Sequence, residues 1–514
     1  MSIKMIPKPK KISEGEGRLC IRPVYSVEEA GLEKYLHAFS DFADRVWGIC
    51  FTPSQGRLPD KNFTTPLTEG DKDADEKTAE FPQMVLPGET RTDDGLFVCR
   101  DASLSEGAYR LHVGKTCIVA FSDTEGLTNA LSSIIKLGER TCDKYISLPV
   151  CDIENEPDSS FRALQLDVAR KWHPVDFLYR YVDLASLLNI NRFIIHFTDD
   201  ESYTLPSKIF PKLPTENRHY TESELKALAD YAEARGVIII PEIDMPGHCA
   251  QFNEKYPEVF GTYGILEADE AVFSALEQLC GEVSELFCHS EYIHLGGDEA
   301  VLGRWLDSEK SVEYMKKNGI DDIVKLYGHF VGRMCRFVLS SGKIPIVWEG
   351  FRKEANGFVP KETLVVAWES HYQLAPELVE AGFTVLNASW KPLYVVSPWQ
   401  KWSPREILEW NKYKWDHWWE QSAAYGGGKV FVDETAPVDG GILCAWGDYL
   451  KNYESCRLAC QLELKCVIPR LCALAEKLWT THGEITPEEF ESTCSNLKNI
   501  LSTIWSENPF RGEL

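Results

Sequence analysis

From residue 161 onward the chain carries eight short apolar runs, at 163–168, 192–197, 237–243, 292–295, 344–348, 363–368, 383–386 and 441–446. Most are separated by helix-like stretches, for example 176–188, 221–235, 270–287 and 322–340. Apolar strands without alternation, interleaved with helices, belong to a parallel sheet covered on both faces. Eight of them predict an α/β fold closed as a (β/α)8 TIM barrel rather than an open sheet. Between the fifth and sixth runs the stretch FRKEANGFVPKE is too short and broken for a regular helix, so one outer helix is expected to be degenerate. Residues 467–480 supply a last helix, and 485–505 add helical material outside it.

Active sites of such barrels lie at the C-terminal ends of the strands. The residues that follow the runs are, in order, Asp167 and Arg170; Asp199 and Asp200; Glu242, Asp244 and His248; and Asp298 and Glu299. Trp348 and Glu349, Trp368 and Glu369, Asn387 and Trp390, and Trp446 and Asp448 complete the rim. Indole faces stack on the apolar C–H faces of sugar rings, while carboxylates accept hydroxyl hydrogen bonds and move protons. This rim points to carbohydrate.

Residues 1–152 have a different rhythm: a strand at 18–24, a helix at 26–46, a strand at 96–100, a hairpin at 109–121 and a helix at 125–137. They predict a small α+β domain ahead of the barrel at 153–514, with the joint near Pro157 and a long polar surface excursion at 59–92. The formal net charge of −25 argues against nucleic acid or an anionic membrane as partner. No stretch reaches the roughly 20 apolar residues that span a bilayer, and the basic N-terminus lacks the apolar run of a secretory signal. Without such a signal, the 16 cysteines read as reduced thiols of a cytoplasmic enzyme.

The sharpest segment is HLGGDEA, residues 294–300. Two glycines let the backbone turn tightly at a strand end and let a ligand approach. Two neighbouring carboxylates follow, Asp298 and Glu299, and like charges so close raise the pKa of one of them. The competing structural explanation is an acidic helix N-terminus.

HLGGDEA resembles the signature of the glycoside hydrolase family 20 β-hexosaminidases. FRALQLDVARKW, HFTDDESY and PEIDMPGH resemble that family's first three strands, and EGAYRLHVGKTCIVAFSDTEGLTNALSSII resembles the end of its small N-terminal domain. The resemblance implies a retaining exo-β-N-acetylhexosaminidase acting on a glycan, oligosaccharide or glycolipid, with no cofactor and no metal. The substrate's own acetamide would then attack C1, an exception to the two-carboxylate scheme.

On this resemblance Glu299 is the acid/base and Asp298 orients the acetamide. Arg162 binds sugar hydroxyls, Tyr394 reaches the acetamide oxygen, and Trp348, Trp368 and Trp446 wall the sugar. Asp199, Asp244 and His248 support the carboxylates. Two departures stand out. Val396 replaces a family aspartate two positions after the tyrosine, and Asp448 replaces the glutamate of Trp-x-Glu. Both fall where the far hydroxyls are read, leaving the choice between gluco and galacto sugars open. Monomer and homodimer are both compatible with the chain.

Two alternatives stay open: a non-catalytic amino-sugar-binding protein on the same fold, and a retaining glycosidase with its own nucleophile. Cys456, Cys460, Cys466 and Cys472 recur at helical intervals and read as a helix face rather than a zinc site. The tripeptide 426–428 before Lys429 lacks the spacing of a phosphate loop. Residues 410–419, rich in tryptophan, read as a cleft wall or as packing on the barrel.

Overall fold

The computed structural model describes residues 3–27, 29–54, 89–92, 94–396, 402–451 and 455–505. Nearly all of the polar excursion expected at 59–92 lies outside the described residues. Contacts divide the chain into two units, Met1–Met5 with Pro9–Glu156 and Ile6–Lys8 with Pro157–Leu514.

In the first unit the strand Ile146–Asn155 pairs antiparallel with Lys11–Ile21 on one side and Tyr109–Val113 on the other. That double pairing keeps the strand whole, so the division falls between Glu156 and Pro157, at the joint expected near Pro157 and a few residues past the 152/153 bound. The helix Thr124–Leu137 packs on Tyr109–Val113 and Cys117–Phe121, and Glu33–Trp47 packs on that helix. The unit is α+β.

In the second unit eight strands form the barrel. They are β1 (Phe161–Asp167), β2 (Arg192–His196), β3 (Ile238–Glu242), β4 (Tyr292–His294), β5 (Ile344–Trp348), β6 (Leu364–Ala367), β7 (Thr384–Asn387) and β8 (Val438–Trp446). Each pairs in parallel with the next, and β8 pairs back to β1. Every residue of β1 is buried, as expected of a strand with side chains in the lumen on one face and helices on the other. Ala163, Ile194, Ile240, Ile346, Val366 and Leu386 belong to the cluster that fills the interior.

Closure depends on Gly440, where a Cβ would lie 1.7 Å from the Phe161 carbonyl oxygen. Helices Val175–Leu187, Glu222–Glu233, Glu270–Leu286 and Ile323–Ser340 cover the first half of the barrel. Between β5 and β6 there is only the 3-10 turn Lys353–Ala355, the degenerate helix read from the sequence. The helix Cys456–Trp479 follows β8, and Pro487–Ile504 follows it. Among the described residues no helix is long and apolar enough to cross a membrane.

Candidate active site

The turn after β4 is built on two glycines with positive φ, 65° at Gly296 and 104° at Gly297. A Cβ on Gly296 would lie 1.9 Å from Asp244 Oδ1, the oxygen that accepts the Gly297 N–H at 2.9 Å. Glycine therefore lets the carboxylate beyond β3 press against the turn beyond β4. The Tyr327 hydroxyl donates to the Gly297 carbonyl from the helix Ile323–Ser340. The turn sends its two carboxylates to different depths: Asp298 is buried, whereas the Glu299 side chain is 53% exposed and its residue takes φ 51°.

Behind the pair runs a chain of charges. His248 Nε2 lies 3.5 Å from Glu299 Oε2 and 3.8 Å from Asp298 Oδ2, and its Nδ1 lies 3.3 Å from Asp199 Oδ1. Asp199 Oδ2 also pairs with His196 Nε2 at 3.0 Å and Arg170 Nη2 at 2.7 Å. His196 Nδ1 meets Glu242 at 3.0 Å, and Glu242 accepts the Trp348 indole N–H at 2.6 Å.

Burial alone would raise the pKa of Asp199, but His196, His248 and Arg170 outweigh it and hold the carboxyl far below the usual range. Burial also opposes charge on His248, yet Asp199, Glu299, Asp244 and Asp298 together raise it well above an ordinary histidine. Glu242 is pulled down to about 2 against its burial, chiefly by His294 and His196.

The neighbouring carboxylates split, and burial decides which goes up. Desolvation raises Asp298, with Glu242 and Glu299 adding to it against the pull of His248. Glu299 is lowered, first by its hydrogen bond with His248. The group raised by this site is therefore the inner one, while the residue expected to donate a proton is held as a carboxylate by the imidazolium. Buried Asp298 Oδ1 accepts no hydrogen bond among the described residues.

Four aromatic side chains cluster at these strand ends, and Asp298 is near enough to Tyr394 to help raise its phenol. The Tyr394 ring lies 6.0 Å from Trp368 at 11° and 5.9 Å from Trp446, and Trp348 lies 6.3 Å from Trp368 and 6.0 Å from Trp446. The strand ends thus bring the three expected tryptophans and the tyrosine together. Trp348, only 1% exposed, is the floor of this box rather than part of its rim.

The loop after β6 is anchored by Glu349, whose buried carboxylate accepts backbone N–H groups of Glu369, Ser370, His371, Tyr372 and Gln373. Burial, then Glu349, Glu299 and Asp298, push the Glu369 carboxyl up to about 7. The sequence puts Glu349 and Glu369 on the rim without assigning either a part in the site. An acidic residue directly after a barrel-strand tryptophan was the available signal.

Arg162 is the correction. It enters β1 at the end opposite the site, where its Nε donates to the Asn189 carbonyl at 2.8 Å and its Nη1 to the Ser159 carbonyl at 2.7 Å. It packs under the Trp479 ring, in the helix layer. From there it reaches no sugar bound at the C-terminal ends. The arginine at the site is Arg170, three residues past β1, which lies over Trp446 and 3.7 Å from Asp448.

Asp448 lies at this edge, its side chain 48% exposed, and Val396 sits on a short strand, Tyr394–Val396, paired to β8. The segment 410–419 divides between its two expected roles. Trp415 is buried with its N–H on the Ala367 carbonyl, while Trp418 is exposed beside Trp390.

Asp199, Asp200 and His248, and likewise Asp244, His248 and Asp298, bring possible ligand atoms within 4.8 Å of one another. His248 serves both sets, and its raised pKa gives it a proton where a metal would need a lone pair.

A closed barrel whose strand ends present paired carboxylates, an imidazolium and an aromatic box defines a sugar-cleaving barrel enzyme. The profile of glycosyl hydrolase family 20, catalytic domain, matches residues 160–482. The chain belongs to this family, and it is a glycoside hydrolase of the β-hexosaminidase type.

It is 27% identical over 414 residues to the β-hexosaminidase subunit beta of Entamoeba histolytica, covering 75% of this chain and 71% of that one. It is 28% identical over 321 residues to a β-hexosaminidase of Vibrio furnissii, covering 55% of this chain and 52% of that one. The GH20 exo-β-N-acetylglucosaminidase from Vibrio harveyi, solved in complex with N-acetylglucosamine, shares the fold with a TM-score of 0.75. Its identity is 19%, and the match covers 99% of this chain and 80% of that one.

Arg170→Met should lower kcat/KM by roughly tenfold to a hundredfold, the loss of a charged hydrogen bond of about 1.5–3 kcal/mol. Arg162→Met should leave KM unchanged and lower the unfolding midpoint instead; a raised KM in this variant would return Arg162 to the site. His248→Asn removes a cation that stabilises the Glu299 carboxylate, so the pKa of Glu299 must rise. The alkaline limb of the kcat/KM profile should then move to higher pH, and a downward shift would show that another group sets that limb.

Proposed function

We propose that this enzyme is a retaining exo-β-N-acetylhexosaminidase, releasing terminal non-reducing β-linked N-acetylglucosamine or N-acetylgalactosamine with the sugar's own acetamide as nucleophile. The supporting observation is the buried Oδ1 of Asp298, without a hydrogen-bond partner among the described residues, at the strand ends that also carry a box of four aromatic rings. A carboxylate oxygen there is suited to accept an acetamide N–H, and the box to surround its methyl group and the sugar ring.

The steps follow from placement. A sugar seated over Glu299 strips water from a half-exposed carboxylate and raises its pKa, so it takes up the proton it then gives to the glycosidic oxygen. The acetamide oxygen attacks C1 as that bond breaks, giving a bicyclic oxazolinium ion. Asp298 holds the N–H and offsets the positive charge. Glu299, again a carboxylate beside His248, takes a proton from water as the water opens the ring at C1, restoring the β configuration. Both carboxylates lie within 4 Å of the same imidazole nitrogen, which favours neighbouring roles over positions on opposite sides of the bond.

Arg170 and Asp448 face the far hydroxyls in this reading, and Val396 takes no part in hydrogen bonding through its side chain. The choice between gluco and galacto sugars then rests on that edge. A binding protein without turnover would need no ionised, histidine-paired glutamate, and the pair favours catalysis over that alternative.

Chromogenic β-glycosides of N-acetylglucosamine, N-acetylgalactosamine and glucose test the reading together. Either or both acetamido sugars should be cleaved and the glucoside left intact; comparable cleavage of the glucoside would remove the acetamide from the mechanism. Glu299→Gln should lose about 10²–10⁴-fold in turnover on substrates with poor leaving groups while still binding sugar.

A further inference from the structure

Directly behind the site, between the end of β1 and the helix Cys456–Trp479, lies a polar cluster to which the hydrolytic mechanism assigns nothing. Lys171 is 3% exposed, and its Nζ lies 2.9 Å from the sulfur of Cys460, 3.1 Å from His173 Nε2 and 3.9 Å from Glu463 Oε2. His173 bonds to the same glutamate, and the Tyr181 hydroxyl donates to it at 3.2 Å. One helical turn before Cys460, exposed Cys456 has its sulfur 3.1 Å from the Trp172 carbonyl. An amine buried against a thiol, with proton acceptors beside both, is more than a charge in need of a partner, because Glu463 alone would supply that.

We propose that Lys171 and Cys460 are a redox-sensitive pair that becomes covalently linked, Nζ to Sγ, when the enzyme meets a hydroperoxide. The hydroperoxide oxidises the thiol to a sulfenic acid and is itself reduced to an alcohol or water. The lysine, having given a proton to the His173–Glu463 pair, attacks the sulfur. The S–O bond breaks, water leaves with the second amine hydrogen and an S–N bond forms, a two-electron oxidation overall. A thiol reductant reverses it, returning the amine and the thiol. A second equivalent of hydroperoxide would insert one oxygen between the same two atoms.

Cys460 is buried and Cys456, one turn earlier, is exposed, so a small peroxide meets the pair from the Cys456 side. Cys456 and Cys460 share a proton: the hydrogen bond from Cys460, with the fields of Lys171, Arg218 and Arg457, lowers the Cys456 thiol to about 6 against its partial burial. The same hydrogen bond and burial raise the Cys460 thiol, and the Lys171 ammonium, donating to its sulfur at 2.9 Å, pulls the other way and stabilises a thiolate there when the shared proton passes to Cys456.

Distance then selects the second partner. Cβ atoms one helical turn apart are about 5–6 Å from each other, whereas a disulfide needs roughly 3.5–4.5 Å. Cys456 and Cys460 can join only by unwinding the first turn of the helix, while Lys171 already touches Cys460. The link would also register at the site, since Lys171 follows Arg170 and a side chain on Gly447 would meet its Cβ at 2.6 Å.

Trypsin separates the outcomes, because Arg457 lies between the two cysteines. The full chain is treated with hydrogen peroxide, alkylated and digested without reductant. A linked Lys171 resists cleavage, so the peptide 171–180 should appear joined to 458–465, lighter than their sum by two hydrogens or carrying one further oxygen. Dithiothreitol should release both peptides. The link should persist in Cys456→Ser and vanish in Cys460→Ser and in Lys171→Arg. Joining of 452–457 to 458–465 instead, or sulfinic and sulfonic acids with no cross-link, would overturn the proposal.

Discussion

Asp199 is a carboxylate with almost no access to water, and its charge survives because His196, His248 and Arg170 close around it. Removing one partner of such a buried charge typically costs about 3–5 kcal/mol, so the three cannot drift independently. Each leads to a working part of the site. His248 carries the charge to Glu299, Arg170 lies over Trp446 and near Asp448, and His196 passes through Glu242 to the indole of Trp348. The acid/base, the hydroxyl-facing edge and the aromatic floor therefore share one electrostatic anchor at the end of β2.

That anchor also separates two adjacent carboxylates. Asp298 and Glu299 differ by one residue in sequence, but the positive-φ turn puts one in the interior and the other half in water. Depth raises the first, and the imidazolium lowers the second. A buried carboxylate is suited to a fixed polar contact, and a half-exposed one to gaining and losing a proton as solvent is displaced. The division of labour follows from where the turn points each side chain.

The barrel was legible because parallel strands buried on both faces leave uninterrupted apolar runs, and all eight of them form strands. The broken stretch after β5 was legible for a related reason: a segment without periodicity has no face to bury. The carboxylate pair stood out because two glycines and two acids at a strand end suit little else.

Arg162 is misplaced by the resemblance, against the direction of the strand. It and Arg170 flank the same strand, and only the rule that sites lie at C-terminal ends separates them. Which of two neighbouring carboxylates is buried depends on the φ values of Gly296, Gly297 and Glu299, which composition does not encode. Glu349 stayed without a role because its partners are five main-chain N–H groups about twenty residues away, a contact that leaves no side-chain signature.

The central claim is that the substrate's acetamide is the nucleophile and Asp298 its aligner. A bicyclic thiazoline analogue of the N-acetylhexosamine oxazoline tests it most directly, by its inhibition constant on the unmodified enzyme and on Asp298→Asn. The account predicts competitive inhibition at least a hundredfold tighter than by the free sugar, weakened strongly in the variant. Inhibition no tighter than that by the sugar, or equal on both enzymes, would contradict it.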